Sequence, residues 1–366
     1  MTLRQLTLLN YKNIEEAELI FSPKINCLIG QNGEGKTNLL DAIHFLSFTK
    51  SAFNSIDSQI VRHEQPYMML KGIYESGNDT EEISCALQVG KRKNFRRNGK
   101  EYKKFSEHIG LIPLIMISPS DSELIIGGSE NRRRFIDMTI SQFNPIYIAS
   151  LARYAKALQQ KNIMLKAEEE PNVEVISMYE EIMAETGEYI FKERDKFIND
   201  FIPFFQKYYS FISGNHENVS IKYTSHGQRG PLLSTIQNNR YKERIVGYSL
   251  YGVHKDDLEM LIDSYPIKRE GSQGQNKTYL IALKLAQFEF IKKSNKSNSP
   301  ILLLDDIFDK LDATRVSNII NLVSKESFGQ IFITDTNREH LDVILQQTTN
   351  TNYKIYKVSN GVFTED

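Results

Sequence analysis

The chain has 366 residues, with 45 Lys and Arg against 46 Asp and Glu and a formal net charge of −1 at pH 7. Because a typical domain has about 150 residues, this length predicts two or three domains, or one large domain with an insertion. The ordinary fractions of apolar and charged residues, 40% and 25%, exclude a wholly disordered chain. The balanced charge excludes a globally basic nucleic-acid binder, so any such surface must come from local clustering of charge.

The sequence also limits the compartment and the metal chemistry. No apolar run approaches the ~20 residues of a membrane span, and the N-terminus has no signal-peptide pattern. Cys27 and Cys85 form no CxxC pair, and the seven histidines show no HExxH spacing. We therefore expect a cytoplasmic protein with reduced thiols, no zinc site and no membrane association.

The first sixty residues have the pattern of an α/β fold. Loose alternation of apolar and polar residues predicts strands over residues 3–9 and 17–21, and a short apolar run predicts a buried strand over 25–29. A helix is predicted from Lys36, because apolar residues recur along one side of it. Between that strand and that helix, residues 30–37 fit the pattern G-x-x-x-x-G-K-[ST].

This pattern is typical of a phosphate-binding loop. Its glycines let backbone N–H groups turn toward phosphate oxygens, and the following helix presents its positive N-terminal end. Lys36 is predicted to reach the β- and γ-phosphates, and Thr37 to place its hydroxyl on Mg²⁺. A glycine-rich turn with a chance lysine is the alternative, but the flanking strand and helix favour the loop. The predicted nucleotide-binding residues are Gly30, Gln31, Asn32, Gly33, Glu34, Gly35, Lys36, Thr37 and Asn38.

A basic hairpin follows. Alternation over residues 67–89 predicts strands, and Asn98-Gly99 is a strong hairpin-turn signal. Positions 91–104 carry eight basic residues and one acid, with Phe95 and Tyr102 among them. Such a run is usually a solvated face, although it could instead follow nucleic-acid phosphates. The basic residues are Lys91, Arg92, Lys93, Arg96, Arg97, Lys100, Lys103 and Lys104.

Four aliphatic residues followed by two carboxylates form the second chemical motif, at 301–306. The aliphatic run predicts a buried parallel strand, and acids at its carboxyl end would lie where ligands bind in open α/β sheets. Asp305 is predicted to hold Mg²⁺, directly or through water. Asp306 is predicted to be the general base or to orient the attacking water. The alternative is a core strand that ends in an N-cap aspartate.

The order of the remaining motifs is typical of ABC-type ATPases. A Ser-x-Gly-Gln sequence at 272–275 opens an apolar helix before the acidic strand, and an Asp-Lys-Leu-Asp sequence at 309–312 follows that strand. By itself the first could be an ordinary Ser N-cap. A later strand ends at Asp335, where many ABC proteins have a switch histidine. The predicted signature residues are Ser272, Gly274 and Gln275, and the predicted D-loop residues are Asp309 and Asp312.

Residues 130–211 have mainly helical periodicity with few glycines, which predicts a helical arm inserted into the α/β fold. The predicted fold class is α/β, an ABC-type P-loop ATPase head with an inserted, mainly helical arm. We assign residues 1–118 and 245–366 to the head and residues 119–244 to the arm.

Over nearly its whole length the sequence resembles the RecF family, bacterial DNA-repair ATPases related to the SMC head domains. The departures are mild: Val253 and Lys255 replace the Pro and Arg of the usual Gly-Pro-His-Arg-Asp-Asp-Leu, and no glutamine-loop residue is assigned. The segments that carry the resemblance are 30–38, 96–99, 126–137, 252–258, 272–277 and 304–312.

The resemblance implies an ATP-dependent homodimer with two ATP molecules between the subunits. Each phosphate loop would face Ser272, Gly274 and Gln275 of the opposite subunit. Asp306 is shorter than the glutamate of transporter ATPases, which fits weak ATP hydrolysis that serves as a switch. The implied cofactors are ATP and Mg²⁺.

The resemblance also implies double-stranded DNA, near single-strand/double-strand junctions, as a binding partner, with the basic run 91–104 as the candidate surface. It further implies action with RecR, and with RecO, in placing RecA on gapped DNA. Two alternatives remain from the residues alone. One is the nucleotide-binding subunit of an ABC transporter, and the other is an adaptor that binds ATP without hydrolysing it.

Overall fold

The computed structural model describes residues 1–77, 79–215, 217–295, 299–308, 311–323, 328–336 and 353–366. The contacts divide the chain into two compact units. The first comprises residues 1–121, 211–214 and 273–366, and the second comprises residues 122–210 and 215–272. The chain therefore passes from the first unit to the second, touches the first again at residues 211–214, and rejoins it from residue 273.

The described strands are β1 (Thr2–Tyr11), β2 (Ile14–Ile20), β3 (Ile25–Ile29), β4 (Tyr67–Ser76), β5 (Asp79–Gln88), β6 (Asn94–Arg97), β7 (Lys100–Glu101), β8 (Leu114–Ile117), β9 (Val219–Thr224), β10 (Asp257–Ile262), β11 (Tyr265–Pro266), β12 (Ile301–Asp305), β13 (Ile331–Asp335), β14 (Tyr353–Ser359) and β15 (Val362–Glu365). The described α-helices are α1 (Lys36–Phe48), α2 (Glu123–Ile126), α3 (Ser129–Ser141), α4 (Pro145–Lys166), α5 (Val173–Ser213), α6 (Leu232–Asn238), α7 (Arg240–Val246), α8 (Ile267–Glu270), α9 (Gln273–Ser294) and α10 (Ala313–Val323).

The first unit contains two six-stranded sheets. An antiparallel sheet has the strand order β2-β1-β4-β5-β6-β7. The other has the order β15-β14-β3-β13-β12-β8, and all its pairings are parallel except that of β15 with β14. The strands predicted over 3–9 and 25–29 correspond to β1 and β3. The four aliphatic residues of β12 are each 1% exposed or less, as expected for a strand covered on both faces.

Helix α1 contacts both sheets of the first unit, β1, β4 and β5 of one and β8, β12 and β13 of the other. Its apolar side chains therefore point in every direction, and eleven of its thirteen residues are buried. The one buried acid on this helix, Asp41, pairs with Lys12 at 2.6 Å and accepts hydrogen bonds from Tyr11 and Ser51. This pairing compensates for the cost of burying the Asp41 charge.

The second unit combines helices α2–α8 with the three-stranded antiparallel sheet β11-β10-β9. Arg194 of α5 is buried in this unit, with 2% of its surface exposed. Its guanidinium donates to Asp256 at 2.7 Å, to Asp137 at 3.0 Å and to the carbonyl oxygen of Val253 at 2.8 Å. Five fixed donors on one planar group suit such convergent acceptors, so this arginine ties α3, α5 and the segment before β10 together.

These contacts assign structural roles to the polar segment 254–257. Asp256 pairs with Arg194, Asp257 pairs with Arg132 at 2.6 Å, and His254 shares a hydrogen bond of 2.7 Å with the Tyr154 hydroxyl. The three side chains therefore have separate partners within the second unit.

The division by contacts draws the boundaries differently from the sequence assignment at residues 119–121, 211–214 and 245–272. Residues 245–272 were assigned to the head, but here they pack with the second unit. The physical reason is β-pairing, because β10 is joined to β9 over six residue pairs. The bond of Arg194 to Asp256 strengthens the same connection.

Candidate functional site

The carboxyl ends of three neighbouring parallel strands meet at one edge of the first unit. The register places Asp305 of β12 opposite Thr334 of β13, and Asp335 of β13 opposite Ile29 of β3. The phosphate-loop sequence begins directly after Ile29. Strand pairing therefore brings the two predicted motifs together, although they lie far apart in the chain.

The loop 30–35 has a conformation that glycine makes possible. Gly33 and Gly35 have φ angles of +87° and +114°, a region that other residues rarely adopt. Glycine is required at position 30 for a steric reason, since a Cβ atom there would lie 2.3 Å from the carbonyl oxygen of Val358. All three glycines of the motif are therefore required by the backbone.

Lys36 is the first residue of α1, and its side chain folds back into the loop. Its Nζ donates to the carbonyl oxygens of Gly30 and Gln31, at 2.8 Å for the latter. Burial lowers the pKa of Lys36, and the charges of Asp306 and Asp305 oppose that shift. The ammonium group thus lies inside the loop, where phosphate oxygens would meet it.

Thr37 and Asp305 form the direct link between the two motifs. The Thr37 hydroxyl lies 2.9 Å from both carboxylate oxygens of Asp305, and the Thr334 hydroxyl donates to the same carboxylate at 2.7 Å. Burial raises the pKa of Asp305, and the bonds from Thr334 and Thr37 partly offset this. A buried carboxylate beside a hydroxyl is a donor set that suits Mg²⁺ completed by phosphate oxygens and water. In the described residues, no group of three or more His, Cys, Asp or Glu side chains forms a metal cluster.

Asp306 has an unusual backbone. Its φ angle is +49°, in the left-handed region, although it is not glycine. Its N–H donates to the Thr334 hydroxyl at 3.1 Å, which helps hold this conformation. Backbone strain of this kind is found most often at functional sites.

Two turns outside the motif, which the sequence did not indicate, hydrogen-bond to the loop or to the start of α1. One contains Asn13, and the other joins β14 to β15. The Asn13 amide donates to the carbonyl oxygen of Gly33 at 3.4 Å, and its oxygen accepts from Asn38 at 2.7 Å. In the turn between β14 and β15, the N–H of Gly361 donates to the carbonyl oxygen of Glu34 at 2.8 Å. The Asn360-Gly361 dipeptide is a hairpin-turn signal, but nothing in the sequence indicates what it contacts.

The predicted signature residues lie at the start of α9. Ser272 is the residue before this helix, which begins at Gln273, and the carbonyl oxygen of Gly274 accepts from the Thr278 hydroxyl at 2.8 Å. The apolar helix predicted here is confirmed, with twelve of its residues buried. Of the predicted D-loop residues, Asp309 lies outside the described residues. Asp312 pairs with Arg315 at 3.2 Å.

The basic run 91–104 divides into two groups. Lys93 is turned inward, where its Nζ pairs with Asp57 at 2.9 Å and donates to the carbonyl oxygen of Thr49. Arg97 makes a two-pronged ion pair with Glu81, while the side chain of Phe95 is fully buried. The exposed members are Lys91, Arg92, Arg96, Lys100, Lys103 and Lys104.

Among the helices of the described part of the chain, none is long and apolar enough to cross a membrane.

The family model for the RecF/RecN/SMC N terminal domain matches residues 2–364. The DNA replication and repair protein RecF of Phocaeicola vulgatus is 56% identical over all of this chain and 98% of its own length. The protein of that name from Bacteroides fragilis is 55% identical with the same coverage.

Solved structures agree with this match. A structure of the recombination mediator protein RecF with ATP, in the RecFOR pathway, has a TM-score of 0.88 and 27% identity over 100% of this chain and 97% of that one. An SMC head bound to the C-terminal winged-helix domain of ScpA shares the fold alone, with a TM-score of 0.57 and 17% identity over 100% and 98% of the two chains. These matches confirm the α/β, ABC-type ATPase head with an inserted, mainly helical arm. The chain therefore belongs to the RecF family.

Proposed function

We propose that this protein is an ATP-dependent DNA-binding protein of recombinational repair. ATP would hold two copies together on double-stranded DNA near single-strand gaps, and hydrolysis would release them. The observation that carries the proposal is the pairing of Thr37 with Asp305 beside the Lys36 ammonium group. The names of the relatives, and the ATP-bound state of the RecF structure, support it.

The loop residues supply the nucleotide site. Backbone N–H groups of residues 31–37 would bind phosphate oxygens, and Lys36 would exchange its two carbonyl acceptors for the β- and γ-phosphates. Thr37 and Asp305 would hold Mg²⁺, which neutralises charge on these phosphates when it is bound. The Thr334 hydroxyl would keep the Asp305 carboxylate in place.

Hydrolysis would be weak and would act as a switch. Asp306 would orient the attacking water, and Ser272, Gly274 and Gln275 of the second copy would contact the γ-phosphate from the opposite side. Because binding joins two subunits through ATP, loss of the γ-phosphate removes those contacts and weakens the dimer.

The DNA surface would be the exposed part of the basic run 91–104. Lys93 and Arg97 are held by Asp57 and Glu81, so we assign them to the integrity of this hairpin. The six exposed cations are available for phosphate contacts, which position a protein on DNA without reading its sequence. The RecFOR pathway named for the solved relative supports action with RecR and RecO, and through them with RecA.

Binding to a fluorescent junction duplex, measured at several salt concentrations with ATP or ADP, tests the proposal. We expect tight binding with ATP only, and loss of that binding in Lys36→Ala. Weak binding that does not depend on the nucleotide would contradict the proposal and favour the transporter subunit. ATP-dependent binding without any turnover would instead indicate the adaptor.

A charge-matched pair of variants tests the surface. Replacing Lys100, Lys103 and Lys104 with Ser should lower the slope of log affinity against log salt by about two to three, because each phosphate contact contributes about 0.9. The control replaces three exposed lysines of the second unit, Lys156, Lys192 and Lys196, with Ser. Equal slopes for the two variants would exclude the hairpin as the DNA surface.

A further inference from the structure

One side chain joins the start of α9 to the start of α10. The Nε of Arg315 pairs with the Asp312 carboxylate at 3.2 Å, and its Nη1 donates to the Thr278 hydroxyl at 2.9 Å. That hydroxyl in turn donates to the carbonyl oxygen of Gly274 at 2.8 Å. A continuous chain of polar contacts therefore runs from Asp312 to the first turn of α9, residues 273–276, which we call the signature turn.

These contacts are largely buried, and the guanidinium lies close to the backbone of Gly274. Thr278 is fully buried, and only 17% of the Arg315 side chain is exposed. A Cβ atom on Gly274 would lie 3.4 Å from the Nη1 of Arg315, an ordinary van der Waals distance, so the backbone at Gly274 lies directly beside the guanidinium. The backbone N–H of Arg315 also donates to Asp312 at 2.9 Å, which caps α10 and fixes the carboxylate.

We propose that Arg315 is a positioning residue that makes the signature turn and Asp312 move as one body. This inference rests on the proposed function, in which the signature residues contact ATP held by the second copy. A guanidinium presents several donors in a fixed planar fork, so it transmits position between two partners better than a single-point cation. Arg315 would then serve hydrolysis at the partner's phosphate loop, and ATP binding by its own loop would not depend on it.

Two conservative substitutions isolate the connection. Arg315→Lys keeps the charge beside Asp312 but cannot reach both partners in the same geometry, and Thr278→Val removes the bridging hydroxyl at nearly constant volume. Each should lower single-turnover hydrolysis about 10- to 100-fold, the usual effect of losing a charge-assisted hydrogen bond. The affinity of the isolated subunit for ATP should change less than twofold.

Matched controls separate positioning from general damage. Thr278→Ser retains the hydroxyl and should restore turnover. Arg4→Lys alters an arginine of the same unit whose partner, Glu75, is exposed, and should leave turnover unchanged. The double variant Arg315→Lys/Thr278→Val should be no slower than the slower single variant, because both remove one connection. Additive losses, or a loss of ATP affinity, would overturn the inference.

Mixed dimers provide the decisive test. When Lys36→Ala and Arg315→Lys are on different subunits, the intact loop faces an intact signature turn, and about half of the wild-type turnover should remain. When both are on one subunit opposite a wild-type copy, each of the two sites contains one altered part, either the loop or the signature turn. Turnover should then be at least tenfold lower than in the first mixed dimer. The reverse order would show that Arg315 acts within its own subunit, and equal rates would show no positioning role, so either result would overturn the inference alone. Absence of any ATP-dependent dimer or turnover in the wild type would overturn the proposed function as well.

Discussion

The bond between Thr37 and Asp305 provides the sharpest test of the nucleotide site. Thr37→Val removes the hydroxyl while it keeps the size and shape of the side chain. The lost bond was made to a carboxylate that is only 3% exposed, and hydrogen bonds to charged groups contribute roughly 1.5–3 kcal/mol. Because the Thr334 hydroxyl still donates to Asp305, we expect the lower half of that range, about 1.5–2 kcal/mol.

Two measurements check this value and its meaning. Urea unfolding without nucleotide should show the lower free energy of unfolding, with Thr37→Ser close to wild type because it keeps the hydroxyl. Titration calorimetry with ATP should show that Mg²⁺ strengthens binding to the wild type and to Thr37→Ser, but much less to Thr37→Val. If Thr37→Val and Thr37→Ser have the same stability and the same dependence on Mg²⁺, the assignment of this pair as the metal site is refuted.

Three further predictions follow from the same contacts. Gly30→Ala would place a methyl group against the Val358 carbonyl oxygen, so ATP affinity should fall at least tenfold in calorimetry and unfolding should become about 1–3 kcal/mol easier; Gly128→Ala, which meets no atom within 4 Å, is the control. Burial lowers the pKa of His254 to about 4 from 6.5, so its contribution to stability is present above pH 6.5 and is lost as the pH falls toward 4. In urea unfolding between pH 6.5 and 4.5, His254→Gln should therefore show a pH slope about 1 kcal/mol per unit shallower than wild type, and an unchanged slope would contradict the shift. Asp306→Asn should retain ATP binding and the left-handed backbone, which Asn tolerates, while turnover falls about 100-fold or more and the ATP dimer persists in gel filtration; unchanged turnover would exclude Asp306 from catalysis.

The elements around the site could be predicted because their signals are local. Three predictions depend only on neighbouring residues, and the structure contains all three elements. They are the strand over 25–29, the glycine loop after it and the helix from Lys36. Sequence reasoning also placed Asp305 at the end of its strand. Thr334 was not found, because its hydroxyl can donate to Asp305 only through the register of β12 with β13, which the sequence does not show.

The basic hairpin shows why charge in a sequence is harder to interpret. Lys93 and Arg97 look the same in the sequence as their neighbours, yet one is turned toward Asp57 and the other toward Glu81. The partners of a charged side chain depend on which face of the strand it occupies, and Phe95 between them marks the buried face. A run of eight cations therefore predicts at most a basic surface. The structure shows which six of these side chains are exposed.

The phosphate loop also depends on parts of the chain that the motif does not contain. The Asn13 amide reaches Gly33 and Asn38, while the Gly361 N–H reaches Glu34 near the other end of the chain. A loop rich in glycine has many accessible conformations, so these contacts reduce the entropy lost when phosphate binds. The motif residues thus carry the proposed chemistry, whereas the turns that contain Asn13 and Gly361 hold the loop in place.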